Sequence, residues 1–324
     1  MQKMDHYRED FETYLSEKVK TKEPKNLYDP MVYILGLGGK RVRPVLVLMA
    51  ADICGGDYKK ALDAALAIEM FHNFSLIHDD IMDDAPLRRG KETVHELWDI
   101  NTGILSGDAM LINAYQLFEN YEGETFRELA KLFTKTAVEV CEGQQYDIDF
   151  EAREDVSIPE YLKMIEYKTA VLVGASLKMG AIVANASHSC KKQIYEYGRL
   201  LGLAFQLQDD YLDVFGDPDS FGKQIGGDII ENKKTFLYLT SLYNSDKKES
   251  LQLEHLYSIN PKDTAAKVET VKNLFQSSGA AEVTKKEIEK YTRQAFDVLE
   301  NLDIPEDRKE LLRSFGGSLM NREV

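Results

Sequence analysis

Apolar residues return at helical spacing along most of the chain. Residues 4–20 read as an amphipathic helix that ends at Lys22-Glu23-Pro24. A short helix follows, then the glycine turn Gly36-Leu37-Gly38-Gly39, with Pro44 where a helix can begin. Val45 to Ile53 is a buried helix stopped by Gly55-Gly56. Ala61, Ala64, Ala65, Ile68, Phe71 and Phe74 mark the apolar face of a long helix over 58–82. Pro86 to Gly90 is a loop, and further helices are predicted over 91–119, 124–148, 158–185 and 190–215. A glycine-rich loop covers 216–228, and Phe236 to Tyr243 opens a series of more polar helices. No run alternates apolar and polar positions as a strand does. The fold class is therefore all-α. No Pro/Ser linker divides residues 1–324, so one helical domain is expected.

Composition narrows the field. At 44% apolar over 324 residues the chain can build a sizeable core. Proline is scarce at 8, while Leu, Ala, Glu, Lys and Met favour helix. A formal net charge of −15 argues against nucleic-acid binding and docking on an anionic membrane, yet leaves room for a local basic pocket. Cys54, Cys141 and Cys190 have no metal or redox spacing, so a reduced, cytoplasmic setting is expected. The first residues lack an apolar signal core. The apolar run from Ala170 to Ala184 is broken by Lys178 and is too short to span a bilayer.

The chemistry sits in two acidic motifs. Asp79-Asp80-Ile81-Met82-Asp83 closes the long helix, and Asp209-Asp210-Tyr211-Leu212-Asp213 repeats its spacing. Each copy puts carboxylates at i and i+4 on one face, where like charges destabilise a bare helix, so a cation should compensate them. Carboxylates are hard oxygen ligands, and Mg²⁺ suits one or two of them plus water and substrate phosphate. If the clusters face each other, several Mg²⁺ ions could hold a diphosphate between them. Asp79, Asp83, Asp209 and Asp213 are the expected ligands, with Asp80, Asp84 and Asp210 as acceptors behind them. One such motif alone would read as a helix cap or solvated surface. Two copies, each after an apolar helix and each trailed by basic residues, weigh against that reading.

In these motifs the chain resembles the trans-isoprenyl diphosphate synthases. This is the short-chain polyprenyl synthetase family, and the likeness is to farnesyl and geranylgeranyl diphosphate synthases. The first motif with Arg88-Arg89-Gly90, the second in Gln206-Leu207-Gln208-Asp209, and the turn Gly38-Gly39-Lys40-Arg41-Val42-Arg43-Pro44 carry the resemblance. Gly143-Gln144, Lys168-Thr169, Gly222-Lys223 and Asn232-Lys233 add to it. It implies a helical bundle of the isoprenoid synthase type with a central cavity. It implies three Mg²⁺ ions and a homodimer. It also implies condensation of an allylic diphosphate with isopentenyl diphosphate by ionisation, condensation and elimination.

By the same resemblance, Lys40, Arg43 and Arg89 bind isopentenyl diphosphate. His72, seven residues before Asp79 and two turns up the same face, can join them. Arg88, Lys168, Lys223 and Lys233 hold the allylic diphosphate, and Thr169 and Gln206 turn oxygens toward the developing carbocation. Gln144 and Asp147 are supporting groups or structural ones. Lys234 reads as solvated, and His78 as a packing residue. Phe74 and Ser75, the fifth and fourth residues before Asp79, are expected to limit chain length. One aromatic beside one small residue points to a farnesyl or geranylgeranyl product, and the twenty-carbon product is preferred. The family often uses basic C-terminal residues, whereas this chain ends Asn321-Arg322-Glu323-Val324 with a single Arg. Two alternatives stay open: a terpene cyclase, which leaves Lys40, Arg43 and His72 unexplained, and a non-catalytic subunit of a prenyl synthase.

Overall fold

The computed structural model describes residues 2–217 and 225–320. Helices supply nearly all of their regular structure. Two compact units divide the chain: Met1–Ala137 with Ala175–Tyr195, and Val138–Gly174 with Glu196–Val324. Lys223 and Asn321 to Val324 lie outside the described residues, as does most of the glycine-rich loop.

The first unit holds helices α1 (Gln2–Lys18), α2 (Lys25–Gly36), α3 (Val42–Ile53) and α4 (Leu62–Met82). Residues 58–61 form a separate 3₁₀ turn ahead of α4, because the Asp57 carboxylate accepts the Lys59 N–H at 3.0 Å and starts a tighter coil. The middle of α3 and the middle of α4 are apolar all round. Leu46 to Ala51, and Ala64 to Ile68, are fully buried. Each Leu or Ile buried in this way contributes about 1.5–3 kcal/mol. Phe71 joins Phe133, with ring centroids 5.3 Å apart and the planes near perpendicular.

The expected helix over 91–119 is broken into pieces. Leu87–Arg88 (β1) pairs antiparallel with Lys91–Glu92 (β2), and the two-residue turn between them is Arg89-Gly90. Both turn residues have positive φ, 54° and 74°, which is what a tight right-twisting hairpin requires. The four-residue helix α5 (Val94–Leu97) follows, and α6 (Ile100–Gln116) restarts where Asp99 accepts the Thr102 N–H at 2.9 Å. Apolar periodicity continued through a segment whose backbone is set by Gly90 and Asp99.

Helix α7 (Gly123–Ala152) leads into the second unit. There α8 (Ile158–Ile165) is opened by a capping box in which Ser157 and Glu160 satisfy each other's backbone donors. The expected helix over 158–185 is interrupted: Glu166–Ala170 is a π-helical turn before α9 (Val171–Val183). Such a turn inserts an extra residue and re-aims the side chains around it. Next come α10 (His188–Phe215), α11 (Gly227–Ile230), α12 (Phe236–Asn244) and α13 (Lys247–Tyr257). Helices α14 (Ala265–Ser277), α15 (Ala280–Glu300) and α16 (Glu306–Met320) complete it. Phe150, Tyr161, Leu207, Phe236 and Phe275 share one buried core. Lys234 is not solvated as expected. Its ammonium donates to the carbonyls of Phe150 and Glu151 at 2.8 and 3.1 Å, supplying donors to the last turn of α7. Among the described residues, no helix is long and apolar enough to cross a membrane.

Candidate active site

In the first unit the glycine turn and the end of α4 gather cations. Arg89 donates to the carbonyl of Gly38, and its guanidinium lies where a side chain on Gly39 would stand. Gly39 holds φ at 124°, a conformation open only to glycine. Arg43 Nη1 lies 3.2 Å from His72 Nε2. An arginine can only donate, so Nε2 accepts and His72 carries its proton on Nδ1. Burial, then the charges of Arg43 and Arg89, hold the His72 imidazolium well below its ordinary range, so the ring is neutral. Lys40 is exposed in the same turn. The arrangement is a cationic patch with two planar guanidinium forks, suited to the oxygens of a diphosphate.

Asp79, Asp80 and Asp83 end α4. Asp80 is buried, and Arg88 grips it with Nε 2.8 Å from both carboxylate oxygens and Nη2 2.6 Å from one. Arg88 Nη2 also lies 3.7 Å from Asp79. Burial works against the Arg88 charge, but Asp80, Asp79 and Asp83 outweigh it and hold the guanidinium above its usual value. Asp79 is half-buried and Asp83 exposed, one turn apart. Phe74 is buried, its ring edge-on to His78 at 4.8 Å and tilted against Phe71 at 5.6 Å. Ser75 donates to the His72 carbonyl at 2.8 Å. His78 packs as expected and also approaches the Ile104 carbonyl at 3.2 Å.

In the second unit a cavity of about 140 Å³ is lined by Lys168, Thr169, Gln206, Lys233, Asp147 and Asp210, among others. The π turn places Lys168 and Thr169 there. Lys168 pairs with Asp147 at 2.5 Å. Thr169 donates to Gln206 Oε1 at 3.0 Å, and Gln206 Nε2 donates to Asp210 at 3.0 Å. This chain of bonds fixes which end of the amide is oxygen. Tyr161 donates to the other Asp210 oxygen. Burial, then Asp228, pushes the Asp210 carboxyl well above its usual range. Burial also works against the Lys233 charge, yet Glu231 at 2.7 Å, Asp228 and Asp147 hold it above the ordinary lysine value. Asp213 Oδ2 accepts the Asp228 N–H at 3.0 Å, and Asp213's carbonyl accepts the Gly226 N–H at 2.6 Å.

The donors fit Mg²⁺. Asp79, Asp83, Asp209 and Asp213 offer hard oxygens only, and none of the four is fully buried. The groups behind them are in place: Arg88 on Asp80, the Asp228 N–H on Asp213, and Tyr161 with Gln206 on Asp210.

Two partnerships were not foreseen. Arg41, in the basic turn, is buried and donates to Glu69 at 2.5 Å. The signal was available, because Glu69 stands inside an apolar run where a carboxylate needs a partner. The other is Asp147, open from sequence to a supporting or a structural role, which pairs with Lys168 at 2.5 Å.

The polyprenyl synthetase family model matches residues 24–275. A short chain isoprenyl diphosphate synthase of Methanothermobacter thermautotrophicus is 37% identical, with 98% of this chain and 97% of that one covered. A geranylgeranyl pyrophosphate synthase of Geoglobus acetivorans is 38% identical over 92% of each. A crystal structure of a geranylgeranyl pyrophosphate synthase superposes with a TM-score of 0.95 at 53% identity, covering 99% of both chains.

Proposed function

The chain belongs to the polyprenyl synthetase family, and on that premise we propose that it joins an allylic diphosphate to isopentenyl diphosphate and releases a short-chain prenyl diphosphate. The observation that carries the two-substrate reading is the patch of Arg43, His72 and Arg89 on the glycine turn. An enzyme that only ionises and cyclises one diphosphate has no use for it. The intact aspartates in both motifs favour a catalytic chain over a partner subunit.

Lys40, Arg43 and Arg89 bind the diphosphate of isopentenyl diphosphate, and neutral His72 orients Arg43. Arg88, Lys168, Lys223 and Lys233 neutralise the allylic diphosphate. Asp79, Asp83, Asp209 and Asp213 would hold the Mg²⁺, three ions on the family pattern. When bound, Mg²⁺ supplies Lewis-acid stabilisation of the charge that gathers on the departing pyrophosphate. Gln206 Oε1 and the Thr169 oxygen lie beside a cavity where they can face an allyl cation. The double bond of isopentenyl diphosphate attacks that cation, and the surplus proton leaves with pyrophosphate. Water must be excluded while the cation lasts.

The twenty-carbon geranylgeranyl product is supported by the names of two relatives and by buried Phe74 beside small Ser75. A homodimer is supported by the outward face of α6, where Ile100, Ile104, Leu105 and Ile112 are 41–59% exposed, too apolar a stripe to leave in water. A reducing, cytoplasmic setting is supported by the three cysteines, Cys54, Cys141 and Cys190, which have no metal or redox spacing. We read residues 1–324 as one isoprenoid synthase domain, since the unit divisions fall within α7, α9 and α10.

The test is incubation with isopentenyl diphosphate, each allylic starter in turn, and Mg²⁺, followed by product mass. A C20 product that needs both substrates is expected. Pyrophosphate release without isopentenyl diphosphate would favour a cyclase, and turnover only after a second protein is added would favour a subunit.

A further inference from the structure

A second cluster joins the loop after α4 to α5, outside every role assigned above except that Asp84 was expected to back the first motif. Asp84, His95 and Glu96 each place one ligand atom, two carboxylate oxygens and one imidazole nitrogen, within 4.8 Å of one another. The loop that brings them together is fastened. The Ala85 N–H donates to the Asp80 carbonyl at 2.9 Å, and the Thr93 N–H to the Pro86 carbonyl at 3.2 Å. Thr93 Oγ1 closes the loop on the Ala85 carbonyl at 2.8 Å, and Thr93 is fully buried. Asp84 takes φ of 49°, which Asp tolerates better than most residues. Residue 84 is thereby held beside the start of α5, where His95 lies two residues beyond the bonded Thr93.

His95 is the informative member. It is 8% exposed, and neither ring nitrogen has a hydrogen-bond partner. Glu96 Oε1 lies 3.8 Å from Nε2, beyond hydrogen-bonding range. A neutral imidazole carries one donor and one acceptor, and a buried polar group left unmatched costs about 1–3 kcal/mol. Native proteins rarely accept that cost without an ion or water at the site. Here the nitrogen looks toward two carboxylates that remain exposed and able to adjust.

We infer that Asp84, His95 and Glu96 form a second divalent-cation site, one for a borderline metal such as Zn²⁺ rather than Mg²⁺. One imidazole and two carboxylates, with a position left for water, is the donor count of an open zinc site. Mg²⁺ takes oxygen ligands and dehydrates reluctantly, so a buried imidazole selects against it. Zinc bonds of about 2.0–2.2 Å require the three ligand atoms to close in from their present spread. The exposed Asp84 and Glu96 side chains can supply that movement while His95 stays fixed. A cation here would cross-link residue 84 to residues 95–96. The loop so closed is the hairpin that presents Arg88 and Arg89.

The test uses tag-free, full-length protein stripped with chelator, with neither Mg²⁺ nor diphosphate present. Zn²⁺ binding is titrated calorimetrically, and Co²⁺ binding is read by visible absorption. One equivalent should bind to the wild type and to the Asp79→Asn/Asp83→Asn variant. Affinity should fall at least tenfold in Asp84→Asn and in Glu96→Gln, isosteric changes at exposed positions. The Co²⁺ spectrum should lose its nitrogen-ligand character in His95→Gln. The inference is overturned if no saturable binding occurs. It is equally overturned if binding survives in Asp84→Asn and Glu96→Gln but disappears in Asp79→Asn/Asp83→Asn. Turnover is not read, so failure here leaves the prenyl-transfer reading standing, and the reverse holds too.

Discussion

Removing the Glu69 carboxylate tests how the cationic turn is held. Arg41 and Glu69 side chains are each 4% exposed and meet at 2.5 Å. Arg41 also donates to the Leu35 carbonyl, and Asn73 donates to Glu69 Oε1 at 3.2 Å. At an effective dielectric near 20, two charges about 4 Å apart attract by about 4 kcal/mol. Desolvating each ion costs several kcal/mol, so the pair contributes little net stability. Breaking it is another matter. Glu69→Ala strands a buried guanidinium and should cost about 3–5 kcal/mol, a large share of the roughly 5–15 kcal/mol that holds a protein folded. The apolar pair Arg41→Met/Glu69→Leu should recover most of that loss. Urea unfolding gives the stabilities, and steady-state kinetics give the second readout. Because Arg41 opens α3 between Lys40 and Arg43, KM for isopentenyl diphosphate should rise about tenfold in a Glu69→Gln variant that still folds, a loss of about 1.4 kcal/mol of substrate binding, with KM for the allylic substrate unchanged. A wild-type unfolding midpoint in Glu69→Ala would refute the reasoning, as would a double variant as unstable as the two single changes added together.

Phe74→Ala removes a buried ring and should cost about 3–5 kcal/mol in stability. Product analysis by mass should show longer chains, and an unchanged chain length would remove Phe74 as the limit. Gly143 lies against the backbone of the π turn, where an added Cβ would come 2.7 Å from the Tyr167 carbonyl carbon and 2.8 Å from Lys168 Cα. Gly143→Ala should therefore displace Lys168 and lower kcat about a hundredfold, and wild-type turnover would show that the approach is not needed. Hydrogen bonds from Ser157, then Arg153, bring the Glu160 carboxyl from 4.5 down to about 2. A depressed folded-state value means full stabilisation above 4.5, lost as pH falls toward 2. Glu160→Gln should flatten that part of the acid-unfolding profile, and identical slopes for both proteins would contradict the assignment.

The fold class and the two aspartate motifs were legible because helical periodicity and i, i+4 spacing are local properties of the sequence. What failed was also local, but quieter. Arg89-Gly90 and Asp99 cut the helix expected over 91–119, since one left-handed turn and one side-chain cap outweigh continued apolar periodicity. The π turn at Glu166–Ala170 has no composition signal, and Gly143 of α7 lies against its backbone. Lys234 looked like one more surface lysine because its partners are main-chain carbonyls about eighty residues away, which side-chain patterns do not announce. Arg43, His72 and Arg89 were foreseen as neighbours, and the structure brings them together. Glu69, which fixes Arg41 among them, was passed over despite being a carboxylate in an apolar helix.

The central claim is that both aspartate pairs ligate the metal ions that draw pyrophosphate from a prenyl chain. Crystals grown with Mn²⁺ and an unreactive allylic diphosphate analogue test it by anomalous scattering. The account predicts peaks bound by Asp79, Asp83, Asp209 and Asp213, each ion also touching a diphosphate oxygen. A diphosphate bound without metal, or peaks that leave either pair unliganded, would contradict it.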